Sequence, residues 1–366
     1  MNHPGEFLDH LLTQFLVKVH ERTENNYDAM RFSYDGVDRS SQYNVTEHKN
    51  YLRFLMNHHE ALYRAYCLLE DEPSRKTFLD LILFRLVGHL HMKLDTNNAA
   101  HWDLRDRARR MDCVPSTITY TGLFGPLRHY ENVSFDGEML NVDCWQGSIV
   151  WSFLIRQYYL ERNGTAVRPE PGDYVIDAGA CFGDTSLAFA CSVGPQGRVF
   201  AFEVLGTHLD IIRHNVAQNP ALADRIVLVP YGLADRCNPS AQPIQTNGVL
   251  APGFSLQSMP DEASIPVTTI DRLVESGDIE RVDFIKMDIE GYELKALRGA
   301  TRTLCRFRPK LAISVYHRAA DLYEIPTFLS RLGLGYKLFI EHYTIHAEET
   351  ILYAIAPKDS SMSSDC

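Results

Sequence analysis

The residues of this chain most able to do chemistry stand in a few short runs. The first is Asp177-Ala-Gly-Ala-Cys-Phe-Gly-Asp-Thr185, which joins the apolar run Tyr174–Asp177 to a helical stretch beginning at Thr185. Glycines at 179 and 183 let the backbone approach a ligand closely and accept positive φ. The helix that follows opens with N–H groups that have no partner within the helix. Gly179, Ala180, Gly183, Asp184 and Thr185 are therefore candidate ligand contacts, although such a run is equally a tight turn. Glu203 directly follows the next apolar strand. A carboxylate there can accept hydrogen bonds from both ribose hydroxyls of an adenosyl ligand. It is otherwise an acid favoured by the helix dipole. Both features in register point to a nucleoside ligand.

The choice of ligand turns on charge. A dinucleotide needs its pyrophosphate at the helix start, where Asp184 would oppose it, and Cys181 stands where G-x-G-x-x-G requires its second glycine. Carboxylates at Asp177 and Asp184 suit a ligand carrying a sulfonium and an ammonium, which is S-adenosyl-L-methionine. Methyl transfer is an in-line displacement, in which a protein positions the acceptor and removes its proton. An alcohol is a poor nucleophile, so a base or a metal is expected. Asp288 and Glu290 follow the fourth strand, and Asp288 is the residue placed nearest the transferred methyl; its other reading is a helix cap. Lys286, inside that strand, can pair with an acid. His317 after the fifth strand and His342 at the end of the sixth are candidate bases, though each is equally a surface or loop histidine. Asp288, Glu290 and Glu293 offer oxygen ligands for Mg2+. Tyr316-His317 stands where catechol-type enzymes carry an acid and an amide, so a metal is not favoured.

These residues need elements to position them. After Gly172 strands and helices alternate: strands at 174–177, 198–202, 226–229, 282–287 and 311–315, helices at 185–191, 209–218, 292–304 and 325–332. That period implies a parallel sheet covered on both faces. Two final strands, 336–343 and 350–356, are joined too tightly for a crossover and must be antiparallel. The fold expected is α/β, a Rossmann-like sheet with a C-terminal antiparallel hairpin, preceded by a mainly helical N-terminal region. Apolar residues recur at helical spacing over Phe7–Val19, Tyr51–Leu69 and Phe78–Leu94, with Pro73-Ser74 read as a break and 24–49 as polar loop. Residues 118–120, 124–129 and 139–142 read as strands or turns, Ile149–Glu161 as one amphipathic helix ended by Asn163-Gly164. The divisions expected are 1–116, 117–171, 172–357 and a disordered tail at 358–366. Gly248–Ser258, with Gly253-Phe-Ser255, reads as a mobile loop over the site.

The runs V-I-D-A-G-A-C-F-G-D-T, F-A-F-E, V-T-T-I-D-R-L, D-F-I-K-M-D-I-E-G-Y-E and the late H-Y…E-T-I-L-Y-A resemble, in this order, the FkbM-like methyltransferases. The likeness covers about Gly172 to Pro357 and leaves the helical N-terminal third outside. It implies a class I methyltransferase fold, S-adenosyl-L-methionine as cofactor, and O-methylation of a hydroxyl on a sugar or secondary-metabolite intermediate.

Composition narrows the partners. The formal net charge of −11 over 366 residues, with no basic run, argues against binding nucleic acid. The absence of an Asn/Asp-Pro-Pro-Tyr turn at 286–291 argues against adenine or glutamine methylation. None of the eight cysteines forms a C-x-x-C pair, so reduced thiols are expected. The first residues show no basic-then-apolar leader, and no apolar run reaches the roughly 18 residues of a membrane span. The expectation is a cytoplasmic enzyme acting on a small-molecule acceptor, without membrane contact. Its N-terminal part, with aromatics such as Tyr120, Tyr158 and Trp145, would supply an acceptor pocket or a homo-oligomer surface. Two other readings stay open: an NAD-dependent oxidoreductase, disfavoured by Asp184, Cys181 and the hairpin, and a non-catalytic S-adenosylmethionine-binding module.

Overall fold

A computed structural model of the chain describes residues 1–29, 38, 40–122, 124–238 and 266–357. The expected loop at Gly248–Ser258 and the expected tail at 358–366 lie outside the described residues.

Three N-terminal helices open with side-chain caps that satisfy free N–H groups. They are α1 (Pro4–Lys18), capped by His3; α2 (Val45–Leu68), capped by Asn44; and α3 (Glu72–Val87), capped by Asp71. Pro73 does not break a helix; it occupies the first turn of α3, where its missing N–H costs nothing. The expected run to Leu94 stops at Val87, because Gly88 turns to φ +75°. A fourth helix, α4 (Ala99–Arg110), follows.

The chain then forms a three-stranded antiparallel sheet from β1 (Cys113–Pro115), β2 (Arg128–Phe135) and β3 (Glu138–Cys144). Residues 118–120 are not a strand. The helix expected over 149–161 is replaced by a shorter helical stretch, 146–155, whose last seven residues form a π-helix. Arg156 ends it in the left-handed region. Asn163-Gly164 then closes a hairpin between Leu160–Arg162 and Thr165–Val167, with both turn residues at positive φ as a type I′ turn demands.

The remaining elements are β4 (Tyr174–Ala178), α5 (Asp184–Val193), β5 (Arg198–Phe202), α6 (Gly206–Ala217), β6 (Ile226–Val229), β7 (Phe284–Met287), α7 (Glu293–Arg298), α8 (Thr301–Phe307), β8 (Lys310–Ser314), α9 (Asp321–Arg331), β9 (Lys337–His342) and β10 (Thr350–Ile355). They build the expected α/β architecture, a seven-stranded sheet ordered β6-β5-β4-β7-β8-β10-β9. The first five strands are parallel, with β4 flanked by β5 and β7. Strand order reverses between β4 and β7, and ligands of such sheets bind at that switch point, beyond the carboxyl ends of the strands. Tyr343 N–H donates to Glu349 O at 3.1 Å to close the connection between β9 and β10. That connection is too short for a helical crossover, so the two strands run antiparallel. The single helix expected over 292–304 is two, α7 and α8. Gly299 separates them where a Cβ would lie 2.1 Å from Ala234 O.

Two compact units interleave along the chain, whereas divisions at residues 116, 171 and 357 are sequential. The first takes residues 1–103, 315–333 and 337–352; the second takes 104–314, 334–336 and the chain from 353. Within the first, Phe7 of α1 packs on Tyr63 and Tyr66 of α2, and His58 of α2 stacks on Tyr323 of α9. Ser74 of α3 accepts a hydrogen bond from Ile340 N–H of β9 at 2.9 Å. Within the second, the buried faces of β4, β5 and β7 supply Val175, Ile176, Val199, Phe200 and Phe284 to the core. Among the described residues, no helix is long and apolar enough to cross a membrane.

Candidate functional site

The run 177–185 lies in the second unit, at the switch point. Directly after β4 comes Gly179 (φ +77°), where a Cβ would sit 1.9 Å from the carbonyl oxygen of Asp288, just past β7. Only glycine allows that crossing. Gly179 and Ala180 both donate their N–H to Phe202 O at the end of β5, at 3.0 Å each. Gly183 (φ +80°) starts α5 and packs against Ile212 of α6. The loop is thus pinned to β5 and β7 by its backbone and packs closely on Ile212 of α6.

Beneath it lies a buried polar core. Asp177 is 0 % exposed. Its Oδ2 accepts from Thr185 Oγ1 at 2.7 Å and Ser186 Oγ at 2.6 Å, and its Oδ1 lies 3.0 Å from Lys286 Nζ. The same ammonium donates to Ala178 O at 3.1 Å and Gly179 O at 2.7 Å. Burial alone would lower the lysine's pKa, but the Asp177 and Asp288 charges outweigh it and hold it above the ordinary value. Asp184 accepts from Ser152 Oγ at 2.5 Å. Its carboxyl is raised by burial, with the Ser152 bond opposing only in part. The expectation that Asp177 and Asp184 present charge to a cationic ligand therefore needs correction. Both side chains point inward and shape the loop, because Lys286, Thr185, Ser186 and Ser152 supply the donors that buried carboxylates require.

Glu203, at the end of β5, reaches back to the loop. Its Oε2 accepts from Cys181 N–H at 3.1 Å and lies 3.3 Å from His208 Nδ1; its Oε1 accepts from Val204 and Leu205 N–H at 2.7 and 2.9 Å. Burial would raise this carboxyl, but His208 and the two backbone donors outweigh it, so it is held below its ordinary value. Glu203 is ionised, oriented and 8 % exposed.

Asp288 is half-buried and accepts from Tyr158 OH at 2.8 Å. It is not a helix cap: Tyr292 precedes α7 without a side-chain cap, and Glu293 Oε1 accepts from Ile289 N–H at 2.8 Å. Glu293 is buried while Glu290 is exposed. His317 and His342 belong to the first unit. His317 is half-buried against the Tyr316 ring, centroids 4.1 Å apart. His342 is buried, its Nδ1 2.9 Å from Thr350 Oγ1.

The structure thus brings Asp177, Gly179, Ala180, Gly183, Asp184, Thr185, Glu203 and Asp288 together within one unit. Sequence reasoning missed His208, Ser152 and Asn215. His208 sits one turn into the helix after Glu203, a spacing that could have been noticed. Asn215 donates to Phe182 O at 2.8 Å and Asp143 O at 2.9 Å, tying the loop to β3, and nothing in the sequence marks it.

Residues 177–338 match the family model for the methyltransferase FkbM domain. The hexuronic acid methyltransferase AglP of Haloferax volcanii is 28% identical over 171 residues, covering 45% of this chain and 65% of that protein. The crystal structure of methyltransferase FkbM from Methylobacillus flagellatus KT superposes with a TM-score of 0.52 at 19% identity, covering 82% of this chain and 60% of that one. This chain thus spans less than two thirds of the length of either protein. The structural likeness concerns the fold.

Proposed function

From the premise that residues 177–338 form a methyltransferase FkbM domain, we propose that this protein transfers a methyl group from S-adenosyl-L-methionine to a hydroxyl of a sugar or secondary-metabolite intermediate. The observation that carries this reading is Glu203, an ionised carboxylate held against the glycine loop at the end of β5. It suits the two ribose hydroxyls of an adenosyl group, which donate to an acceptor fixed in place. Gly179, Ala180 and Gly183 contribute close backbone, and Asp177, Asp184 and Thr185 hold the loop from below. S-adenosylmethionine supplies an electrophilic methyl on a sulfonium. Asp288, oriented by Tyr158, takes the proton of the acceptor hydroxyl. His317 and His342 are given no step. Mg2+ is not part of the proposal: carboxylate oxygens of Asp288 and Glu293 lie within 4.8 Å of one another, but Glu290, the third acid offered for it, is exposed and Glu293 is engaged with the Ile289 amide. A sugar acceptor is supported by the hexuronic acid methyltransferase relative.

The test is transfer of labelled methyl to a panel of hexuronic acids, neutral sugars and non-sugar alcohols. Label is expected on a sugar hydroxyl. Asp288→Asn should lose about a hundredfold in kcat, the usual worth of a positioned base, while binding S-adenosylhomocysteine as the native protein does. Transfer to none of the panel, or undiminished turnover in Asp288→Asn, contradicts the reading.

A further inference from the structure

Glu203 receives four donors, and three of them are backbone N–H groups that any sequence would supply. The fourth is His208, in the first turn of α6, which is itself engaged on its far side: Tyr120 OH lies 2.9 Å from His208 Nε2. The three side chains form a chain from the segment before β2, through α6, to the end of β5. All are buried. Phe182, inside the glycine loop, sets its ring against both Tyr120 and His208, each at 5.1 Å between centroids, and Trp145 backs it at 4.7 Å.

The order of protons in this chain follows from its chemistry. Burial pushes the Tyr120 hydroxyl well above its ordinary value, with the Cys181 and Glu203 charges adding to the shift, so it stays protonated and donates. A neutral imidazole has one N–H and one acceptor nitrogen. In the neutral imidazole with Nε2 accepting from tyrosine, the proton sits on Nδ1, facing Glu203 Oε2. Tyr120 thereby selects the tautomer that donates to the carboxylate.

We propose that His208, fixed by Tyr120, is a positioning residue for ribose recognition: it holds the Glu203 carboxylate in the plane needed to accept the two ribose hydroxyls of the adenosyl ligand. The inference rests on the cofactor reading above and adds residues to it. His208 and Tyr120 act through Glu203 and touch no reacting atom. A merely structural role would weaken every ligand alike; a positioning role is confined to the hydroxyls.

The experiment is a double-mutant cycle between protein and ligand, read by calorimetric binding. The ligands are S-adenosylhomocysteine and its 2′,3′-dideoxy analogue; the proteins are native, His208→Leu, His208→Asn and Tyr120→Phe. The native protein should lose at least about tenfold in affinity for the dideoxy ligand, the worth of a hydrogen bond to a charged acceptor. His208→Leu should lose about tenfold for S-adenosylhomocysteine and then discriminate the two ligands less than about threefold. His208→Asn, which keeps a donor on the Glu203 side, should restore discrimination. Tyr120→Phe should show a partial loss of it, and carries the test if His208→Leu does not fold. Undiminished discrimination in His208→Leu and Tyr120→Phe overturns the inference while leaving the cofactor reading intact. Failure of the native protein to bind S-adenosylhomocysteine overturns both.

Discussion

Lys286 offers the sharpest stability prediction. Its ammonium has three N–H donors and meets three acceptors: Asp177 Oδ1 at 3.0 Å, Ala178 O at 3.1 Å and Gly179 O at 2.7 Å. Lys286 is 2 % exposed, so water cannot replace it. Lys286→Met keeps length and volume and removes the ion pair and both hydrogen bonds. Removing one partner of a buried pair costs about 3–5 kcal/mol. Thr185 and Ser186 still donate to Asp177, which places this term near about 3 kcal/mol. Gly179 O, left without a donor, adds about 1 kcal/mol or more, whereas Ala178 O keeps the N–H of Asp288 at 3.1 Å. The sum, about 4 kcal/mol, is a large part of the whole stability of many domains. Urea unfolding is the assay, with Asp177→Asn and the double variant completing a cycle. Once the carboxylate is neutral the lost ammonium matters less, so the double variant should be at least about 2 kcal/mol more stable than the two single effects added together. A loss below about 1 kcal/mol in Lys286→Met, or strict additivity, would refute the reasoning.

Two other outcomes follow from the same loop. Gly179→Ala places a methyl 1.9 Å from Asp288 O at φ +77°, so the loop and the end of β7 must separate; affinity for S-adenosylhomocysteine should fall at least about tenfold, checked by calorimetry, beyond a backbone strain of about 1–2 kcal/mol. Asp184 has a carboxyl raised by burial. A raised carboxyl stabilises the fold below its ordinary pKa, and that contribution is lost as pH rises through the folded value. Asp184→Asn, which keeps an acceptor for Ser152, should therefore gain on the native protein between pH 4 and neutrality; an equal gap in thermal midpoint at both ends of that range contradicts this.

The parts legible in sequence were those fixed by local chemistry. The alternation of short apolar strands and helices after Gly172 defines the sheet, and Gly179 and Gly183 mark the loop because their positive φ is a property of the residue itself. Other features depend on partners distant in the chain. The break between α7 and α8 arises where Gly299 passes Ala234 O, a tertiary contact that helical periodicity cannot register. The inward turn of Asp177 and Asp184 depends on Lys286 and Ser152, whereas sequence shows a carboxylate's charge and not its direction. Tyr120 meets His208 across 88 positions of chain. Asn163-Gly164 was readable: that pair at a two-residue turn signals a hairpin, and the apolar residues before it outweighed the signal in a helical reading.

The central claim is that the glycine loop and Glu203 form an adenosyl site for the methyl donor. Calorimetric titration of this 366-residue chain with S-adenosylhomocysteine, repeated with NAD, tests it most directly. The account predicts a saturable isotherm for S-adenosylhomocysteine, weakened at least about tenfold in Glu203→Gln by loss of the charged acceptor, and no binding of NAD. No heat with S-adenosylhomocysteine and a clear isotherm with NAD would contradict it.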